Sequence, residues 1–477
     1  MRDALAELRE TAPELPALRA RYEEHGQGHV FARADALDEA GRRRLAAQLA
    51  AIDPAAVSRA FEAARRLANG PRERLEPAPI ERLPEHGGSE ATRAEARARG
   101  EALLAEGAVA ALVVAGGEGT RLGFPGPKGA FPLGPVSSRT LFAQQAQKIR
   151  RAIVRYGRPI PWLVMTSPAT TAATRALFAA DGHFGVPPAD VRFFEQGSFP
   201  AVDLAGRLIL EAPDRVAVSP DGHGGVFGAL AKAELFPALE QRGTRLLSYY
   251  QVDNPLVPIL DPLFLGLHDL RGAEMSAKVL AKRTPAERAG TVGTSQGRVC
   301  VIEYTEVDPW HRDQRGPGGE LLYWAASIAM HVLDRAFAER IAARADALLP
   351  YHASPKTIPF VDAAGQRVVP DAANGYKLER FVFDALPEAR RAALLEVRRH
   401  EEYSPIKNRS GGESPCTART DLVASYHRWL AAAGVEVAAD AWIELDESQI
   451  GPPDGAAVPS EPPRGADWIL FGSRGTS

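Results

Sequence analysis

A glycine-rich loop with two nearby cations is the clearest chemical signal in the sequence. Gly116, Gly117 and Gly119 follow a short apolar run, and Arg121 and Lys128 stand close behind them. Glycines at the exit of a strand let the backbone turn tightly and bring N–H groups close to an anion. Because the two bases add positive charge, the loop predicts a phosphate-rich ligand.

Neither of the two common glycine motifs describes this loop. The dinucleotide fingerprint GxGxxG needs glycine where Leu122 stands, and the Walker loop needs glycine where Pro127 precedes Lys128. A nicotinamide-dependent dehydrogenase also needs an acidic partner for the ribose, and the sequence offers no clear one. The pattern therefore disfavours a dehydrogenase and indicates another class of phosphate ligand.

Two polar side chains farther along the chain have the chemistry to bind a ligand or a metal ion. Gln196 carries one amide acceptor and two amide donors, which can pair with the edge of a uracil, although an exposed loop glutamine is the structural alternative. Asp253 follows the apolar run 246–252, where an open α/β sheet presents ligand-binding groups. A hard carboxylate oxygen suits Mg²⁺, whereas a helix N-cap or turn aspartate is the structural alternative.

The loop sequence GGEGTRLGFPGPK resembles that of the UTP-dependent sugar-1-phosphate uridylyltransferases, most closely the UDP-N-acetylglucosamine and UDP-glucose pyrophosphorylase branch. The resemblance covers residues 105–430. It recurs in MTS at 165–167, FFEQG at 193–197, SPDGHGG at 219–225, VDN at 252–254, EY at 303–304, NGYKLE at 374–379 and SPIKN at 404–408. It implies a nucleotidyltransferase that forms a UDP-sugar and pyrophosphate from UTP and a sugar 1-phosphate, assisted by Mg²⁺.

The resemblance also implies roles for individual residues. The residues expected to neutralise the phosphates are Arg121, Lys128, Lys377 and Lys407. The expected metal ligand is Asp253. The residues expected to bind the nucleotide are Gly116, Gly117, Gly119, Thr120, Gln196 and Gly222. Those expected around the sugar are His223, Gly290, Glu303, Tyr304, Ser327, Phe381 and Phe383. A solvated surface charge is the alternative for each lysine, and a core aromatic is the alternative for each phenylalanine.

Two positions depart from the family pattern on the sugar side. Ser327 lies in the segment WAASIAMH at 324–331, where the branch carries asparagine, and the serine is shorter and lacks the amide donor. His223 replaces an asparagine in the PDGxGG turn, and an imidazole titrates near neutral pH. N-acetylglucosamine 1-phosphate and glucose 1-phosphate therefore stay open as substrates. A catalytically inactive regulatory protein that binds UTP or a UDP-sugar is the alternative function.

The elements expected around these residues are those of an α/β enzyme. From about residue 106, short β-rich runs alternate with helical stretches, which predicts a Rossmann-like domain with a mixed, mainly parallel sheet. We expect a helical N-terminal segment at 1–105, the catalytic nucleotidyltransferase domain at 106–385 and a small C-terminal region at 386–477. Within the second of these, residues 274–310 are expected to form antiparallel strands.

Composition excludes several classes of protein. The 477 residues carry 57 Lys+Arg and 60 Asp+Glu, a net charge of −3, which argues against a nucleic-acid partner. The most apolar run, 107–115, is too short for a membrane span, and the N-terminus lacks a secretory segment. We therefore expect a cytoplasmic protein with no membrane partner, and leave its oligomeric state open. Cys300 and Cys416 are expected to be buried free thiols.

Overall fold

The computed structural model describes residues 15–69, 75–307, 309–452 and 469–472. The chain divides into two compact units, each made of three separated segments. The smaller unit comprises Met1–Arg72, Gly197–Gly225 and Asp346–Asp384. The larger unit comprises Glu73–Gln196, Val226–Ala345 and Ala385–Ser477. The three-part domain division expected from the sequence stays a prediction.

The described residues alternate between helices and strands along much of the chain. In chain order the helices are α1 (Leu15–Glu24), α2 (Glu39–Ala51), α3 (Pro54–Asn69), α4 (Glu90–Glu106), α5 (Leu141–Tyr156), α6 (Thr171–Ala180), α7 (Val226–Lys232), α8 (Leu235–Gln241), α9 (Pro262–Leu270), α10 (Pro309–Asp313), α11 (Arg335–Ala342), α12 (Ala345–Leu348), α13 (Arg399–Glu402) and α14 (Pro415–Ala432). The strands are β1 (Val109–Val114), β2 (Trp162–Thr166), β3 (Val191–Glu195), β4 (Ser198–Pro200), β5 (Val202–Asp203), β6 (Leu210–Ala212), β7 (Arg215–Val216), β8 (Val218–Pro220), β9 (Leu246–Gln251), β10 (Met275–Ala281), β11 (Thr291–Ser295), β12 (Arg298–Ile302), β13 (Ala325–Asp334), β14 (His352–Lys356), β15 (Phe360–Val361), β16 (Arg367–Val368), β17 (Gly375–Glu379), β18 (Ala392–Glu396), β19 (Trp442–Leu445) and β20 (Ile469–Gly472).

A nine-stranded mixed sheet forms the centre of the larger unit. Its main path runs β12-β11-β13-β9-β1-β2-β3, while β10 pairs with β13 and β18. Strands β9, β1, β2 and β3 are parallel, and β10 is parallel to β18. Strand β13 runs antiparallel to β9 and β10, and β11 forms an antiparallel pair with β12. This arrangement confirms the predicted mixed, mainly parallel sheet and the antiparallel strands expected within 274–310.

Local sequence explains the elements that lead to the glycine loop. Strand β1 reads VAALVV and is almost wholly buried, as expected for a parallel strand covered on both faces. The following helix α5 begins where the Thr140 side chain accepts a hydrogen bond from the Ala143 N–H, and it ends at Gly157 in a left-handed conformation. The rings of Phe142, Trp162 and Phe178 pack together in the core. The loop between β1 and α5 is thus held at both ends by buried elements.

The smaller unit packs helices against a short antiparallel sheet. Strand β17 lies between β14 and β5 in that sheet. The core combines helix residues with strand residues from much later in the chain, and its members include Tyr22, Phe31, Leu45, Leu49, Phe61, Val202 and Leu378. The Tyr22 hydroxyl donates to the Leu49 carbonyl at 2.8 Å, so the one polar atom of this ring is satisfied inside the core.

Two further sequence expectations can be compared with the structure. Cys300 is half-buried and Cys416 is exposed, so the predicted burial of both thiols is wrong. Cys300 lies on β12, which is an edge strand of the large sheet and is covered by a neighbour on one side only. Within the described ranges, no helix has both the length and the apolar character of a membrane span.

Candidate active site

The glycine loop of the larger unit is closed by its own backbone hydrogen bonds. The Gly119 N–H donates to the Gly126 carbonyl at 2.8 Å, and the Lys128 N–H donates to the Gly117 carbonyl at 2.9 Å. Thr120–Leu122 forms a 3₁₀ turn that ends at Gly123, where φ is +71°. These contacts fix the exit of β1 as a compact turn and leave open space where a Cβ atom of Gly117 would stand.

Gln196 packs directly on this loop. A Cβ atom at Gly116 would lie 2.8 Å from Gln196 Oε1, so only glycine leaves room for the amide. The Gln196 N–H donates to the Thr166 carbonyl at the ends of β2 and β3, and the Ser167 hydroxyl donates to the Gly116 carbonyl at 2.8 Å. Gln196 is buried, unlike an exposed loop glutamine. The structure thus brings the predicted uracil-binding residue onto the predicted phosphate loop.

Asp253 and Lys128 form an ion pair beside the loop. Lys128 Nζ lies 3.1 Å from Asp253 Oδ2, and both side chains are largely buried. The backbone around Asp253 is anchored twice: the Gln145 amide donates to the Val252 carbonyl at 3.0 Å, and the Ile406 N–H donates to the Asp253 carbonyl at 2.9 Å. A carboxylate and an ammonium group are therefore held next to each other at the carboxyl end of β9.

Lys407 reaches this region from the C-terminal part of the larger unit. Its Nζ lies 3.3 Å from the Tyr403 hydroxyl and 3.6 Å from Glu413 Oε1. Burial lowers the pKa of Lys407, but the nearby Tyr403 hydroxyl and the negative charges of Asp253 and Glu413 outweigh that effect and raise it. Lys407 is therefore a stable cation at neutral pH.

Arg121 is the most exposed of the predicted phosphate-binding side chains in the larger unit. It lies on the 3₁₀ turn that follows Gly119, next to Thr120. Among the residues that the structure describes, none forms a hydrogen bond or an ion pair with the Arg121 guanidinium. This cation is thus available to a ligand, whereas Lys128 is paired with Asp253.

Three of the predicted sugar residues meet at one end of the β12-β11-β13 ladder. The Ser327 N–H donates to the Gly290 carbonyl at 2.9 Å. Thr291 pairs with both Ile302 and Ala326, which places Gly290 opposite Glu303 and Ser327. A Cβ atom at Gly290 would lie 2.6 Å from Val301 Cγ1, so a larger residue at this position would force the Val301 side chain to move.

The fourth predicted sugar residue of the larger unit, Tyr304, follows this ladder directly. Its N–H donates to Glu303 Oε2 at 2.9 Å, and the residue is 45% exposed. The contact orients the Glu303 carboxylate with a backbone group and leaves the tyrosine ring accessible.

The smaller unit gathers the other predicted sugar residues. The His223 ring stacks on Phe381 with centroids 5.2 Å apart, and Phe383 lies 5.8 Å from the same ring. The Val382 N–H donates to His223 Nδ1 at 3.1 Å, so a neutral His223 carries its proton on Nε2. Gly222 has φ of +88° and packs against the Arg380 backbone, which leaves no room for a side chain.

Lys377, the remaining predicted phosphate ligand, lies on β17 of the smaller unit. Its register partner is Ser354 on β14. The side chain lines a cavity of about 650 Å³ together with Arg215, Arg367 and Glu211. The core residue Leu378 points to the opposite face of the strand, so Lys377 is turned away from the packed helices.

Sequence reasoning missed two polar residues that support the segments of Asp253 and Lys407 in the larger unit. Gln145 holds the backbone before Asp253, and Asn254 fixes the segment that precedes Lys407 by accepting from the Ser404 N–H and donating to the Glu402 carbonyl. Asn254 could have been found, because it follows Asp253 in the VDN motif. Nothing in the sequence around Gln145 marks it, because its contact joins positions about a hundred residues apart.

The comparisons with known proteins agree on one family. A family model described as UTP–glucose-1-phosphate uridylyltransferase matches residues 61–426. The chain is 39% identical to human UDP-N-acetylhexosamine pyrophosphorylase-like protein 1 over 92% of its own length and 90% of the relative. It is 35% identical to the UDP-N-acetylglucosamine pyrophosphorylase of Saccharomyces cerevisiae over 72% of this chain and 74% of the relative.

Solved structures give the same result. The uridine diphosphate N-acetylglucosamine pyrophosphorylase of Trypanosoma brucei, in complex with an inhibitor, matches with a TM-score of 0.75 and 28% identity, covering 89% of this chain and 87% of that one. The putative UDP-N-acetylglucosamine pyrophosphorylase of Entamoeba histolytica matches with a TM-score of 0.69 and 29% identity, covering 76% and 90%.

Proposed function

Because the chain belongs to the UTP–glucose-1-phosphate uridylyltransferase family, we propose that it forms a UDP-sugar and pyrophosphate from UTP and a sugar 1-phosphate. The observation that carries this assignment is the contact of Gln196 with Gly116. It supports the proposal, because an amide that can pair with uracil lies beside the loop that we propose holds the phosphates. The expected Rossmann-like class of fold and the expected transferase class agree with the family.

The reaction we propose is a direct in-line transfer. The sugar phosphate oxygen attacks the α-phosphorus of UTP, the bond between the α-phosphorus and its bridging oxygen breaks, and pyrophosphate leaves. Such a reaction needs the groups to be aligned and the developing charge to be neutralised, rather than a covalent nucleophile. In the larger unit Lys128 and Lys407 supply fixed positive charge, and Arg121 supplies a guanidinium without an acidic partner in the described residues. Lys377 of the smaller unit is proposed to hold the sugar phosphate.

We propose that Asp253 is the protein ligand of a Mg²⁺ ion. The described residues contain no group of three or more His, Cys, Asp or Glu side chains arranged for a metal. A single carboxylate nevertheless fits Mg²⁺, which is commonly held by one or two carboxylates, waters and substrate phosphate oxygens. When bound, the ion would neutralise phosphate charge. Lys128 would keep the carboxylate oriented through the 3.1 Å ion pair.

For the sugar we propose N-acetylglucosamine 1-phosphate. Relatives named as UDP-N-acetylglucosamine pyrophosphorylases support this choice. Ser327 lacks the amide donor that the family pattern carries at this position. The backbone of Gly290 and the carboxylate of Glu303 lie at the same end of the ladder, and we propose that they bind the sugar. His223 replaces an asparagine and keeps a polar ring at this position, stacked on Phe381.

A pyrophosphate-release assay with UTP tests the function and the sugar together. We expect release with N-acetylglucosamine 1-phosphate at a higher kcat/KM than with N-acetylgalactosamine 1-phosphate or glucose 1-phosphate. A different ranking would refute the proposed sugar but keep the reaction. UTP binding without pyrophosphate release from any sugar 1-phosphate would instead support the inactive regulatory protein. The expected cytoplasmic location stays a prediction.

A further inference from the structure

We propose that Arg409 binds the β- and γ-phosphates of UTP, and therefore the pyrophosphate product, together with Arg121. The inference rests on the proposed function, because it assigns an additional residue to the same substrate. Arg409 lies two residues after Lys407, just beyond the SPIKN segment.

The turn that carries Arg409 is rigidly closed and anchored beside Asp253. The N–H groups of Lys407 and Asn408 both donate to the Glu413 carbonyl, at 2.7 and 3.0 Å, and the Asn408 side chain donates to the Gly412 carbonyl at 2.9 Å. One residue before this turn, the Ile406 N–H donates to the Asp253 carbonyl. Arg409 therefore projects from a turn whose base is fixed beside the proposed magnesium ligand.

From this turn the Arg409 side chain reaches the glycine loop. A Cβ atom placed on Gly123 would lie 3.5 Å from Arg409 Nε and 3.6 Å from Cδ and Cζ. Gly123 ends the 3₁₀ turn that contains Arg121, so the Arg409 guanidinium lies beside the turn that carries Arg121. Gly123 has a φ of +71°, a conformation that glycine adopts without strain. It also has no side chain that would lie against the Arg409 guanidinium.

The charges around the loop distinguish Arg409 from the lysines. Lys128 is paired with Asp253, and Lys407 lies near Glu413 and the Tyr403 hydroxyl. Over the described ranges, by contrast, neither Arg121 nor Arg409 has a hydrogen bond or an ion pair through its guanidinium. A guanidinium can bind two phosphate oxygens at once, and an exposed one can release them with the product. Two such groups suit the terminal phosphates of a nucleotide.

Direct binding measurements with UTP and UMP test this assignment. Arg409→Ala is expected to weaken UTP binding about 10-fold or more, the scale of a lost charge-assisted hydrogen bond, and to leave UMP binding unchanged. Arg409→Lys should restore part of the loss. The control is Arg344→Ala, which removes an exposed arginine of the same unit that follows α11 and belongs to no predicted site. In the reverse reaction, Arg409→Ala should raise KM for pyrophosphate more than KM for the UDP-sugar.

The outcomes separate this inference from the proposed function. Equal weakening of UTP and UMP binding would mean that Arg409 only shapes the loop, and unchanged UTP binding would mean that it does not touch the nucleotide. Either result overturns the inference. If the unaltered protein binds UTP but releases no pyrophosphate, the transferase function fails, while the comparison of UTP with UMP still reports on Arg409.

Discussion

At Gly116 the volume that a side chain would fill is taken by the amide of Gln196. Gly116→Ala would place a methyl group 2.8 Å from Gln196 Oε1 and 3.2 Å from the Ser167 N–H nitrogen. Because Gln196 must then move, we expect KM for UTP to rise about 10-fold or more, the scale of one lost hydrogen bond to a buried polar group. Steady-state kinetics over a range of UTP concentrations measures this change.

A matched variant at the next position separates steric displacement from a general effect of alanine in the loop. A Cβ atom at Gly117 meets no atom within 4 Å. Gly117→Ala should therefore raise KM for UTP less than Gly116→Ala does. Equal effects of the two substitutions would show that the contact with Gln196 is unimportant.

A second prediction concerns the carboxylate of Asp253. Asp253→Asn keeps the size of the side chain but removes the negative charge, and we expect kcat to fall about 100-fold or more, as when a charge-stabilising group is removed from an active site. The variant should also need a higher Mg²⁺ concentration for half-maximal rate. Initial rates with Mg²⁺ titrated after chelation test both effects. A variant within a few-fold of normal turnover would exclude Asp253 as the metal ligand.

The sequence was sufficient to identify site residues that lie in local motifs. It was insufficient to identify residues that are placed by contacts with distant parts of the chain. Gly116 and Gln196 were found because their chemistry can be recognised from neighbouring residues, and the structure brings them together. Gln145 and Arg409 were missed, because each lies next to a segment far away in the chain. Cys300 was assigned to the core from its residue type alone, but its strand lies at a sheet edge.

Among the elements, helix α13 and strand β10 are joined by a buried charged cluster. Lys278 Nζ lies 2.6 Å from both Asp261 Oδ2 and Glu402 Oε2, and its side chain is almost fully buried. One of the two carboxylates is enough to neutralise the lysine. Burial raises the pKa of Glu402 to about 7, although Lys278 opposes the shift.

This cluster predicts a pH dependence of stability. The pKa of Glu402 is about 7 in the folded protein against an ordinary value of 4.5, so the folded state binds more protons between these values. Stability contributed by Glu402 is therefore full below pH 4.5 and is lost as the pH rises through about 7. Glu402→Gln should remove this dependence, because the amide does not titrate.

Thermal unfolding from pH 5 to pH 8, for the unaltered chain and for two variants, measures the effect. Glu401→Gln is the control, because this neighbouring side chain is exposed. If the melting temperature of Glu402→Gln follows that of the unaltered chain at every pH, Glu402 does not titrate in this range. No motif marks this cluster in advance, since Lys278 and Asp261 lie in ordinary apolar segments.

For the molecule as a whole, the smaller unit depends on helices that precede the glycine loop in the chain. Phe61 on α3 is buried, and its ring occupies the space beside Gly206 and packs 6.0 Å from the Tyr376 ring. We expect Phe61→Ala to lower the free energy of unfolding by about 3–5 kcal/mol. Leu67→Ala on the same helix is the control, because Leu67 is 40% exposed.

Denaturant unfolding of both variants measures the difference. Similar small losses for Phe61→Ala and Leu67→Ala would contradict the packing of α3 in the core of the smaller unit. The sequence predicted helices before residue 105, and α1 to α4 confirm them in the described part of that segment. It could not predict their partners, because hydrophobic periodicity identifies a buried face without identifying what covers it.

The separation of those partners along the chain has a consequence for biosynthesis. Helices α1 to α3 leave the ribosome long before Val202 and Leu378, which complete their core. At about 5–20 residues per second, the roughly 310 residues between α3 and Leu378 take about 15 to 60 s to translate. During this interval the nascent helices lack the residues that cover their apolar face, so we expect the newborn chain to bind chaperones that shield such faces.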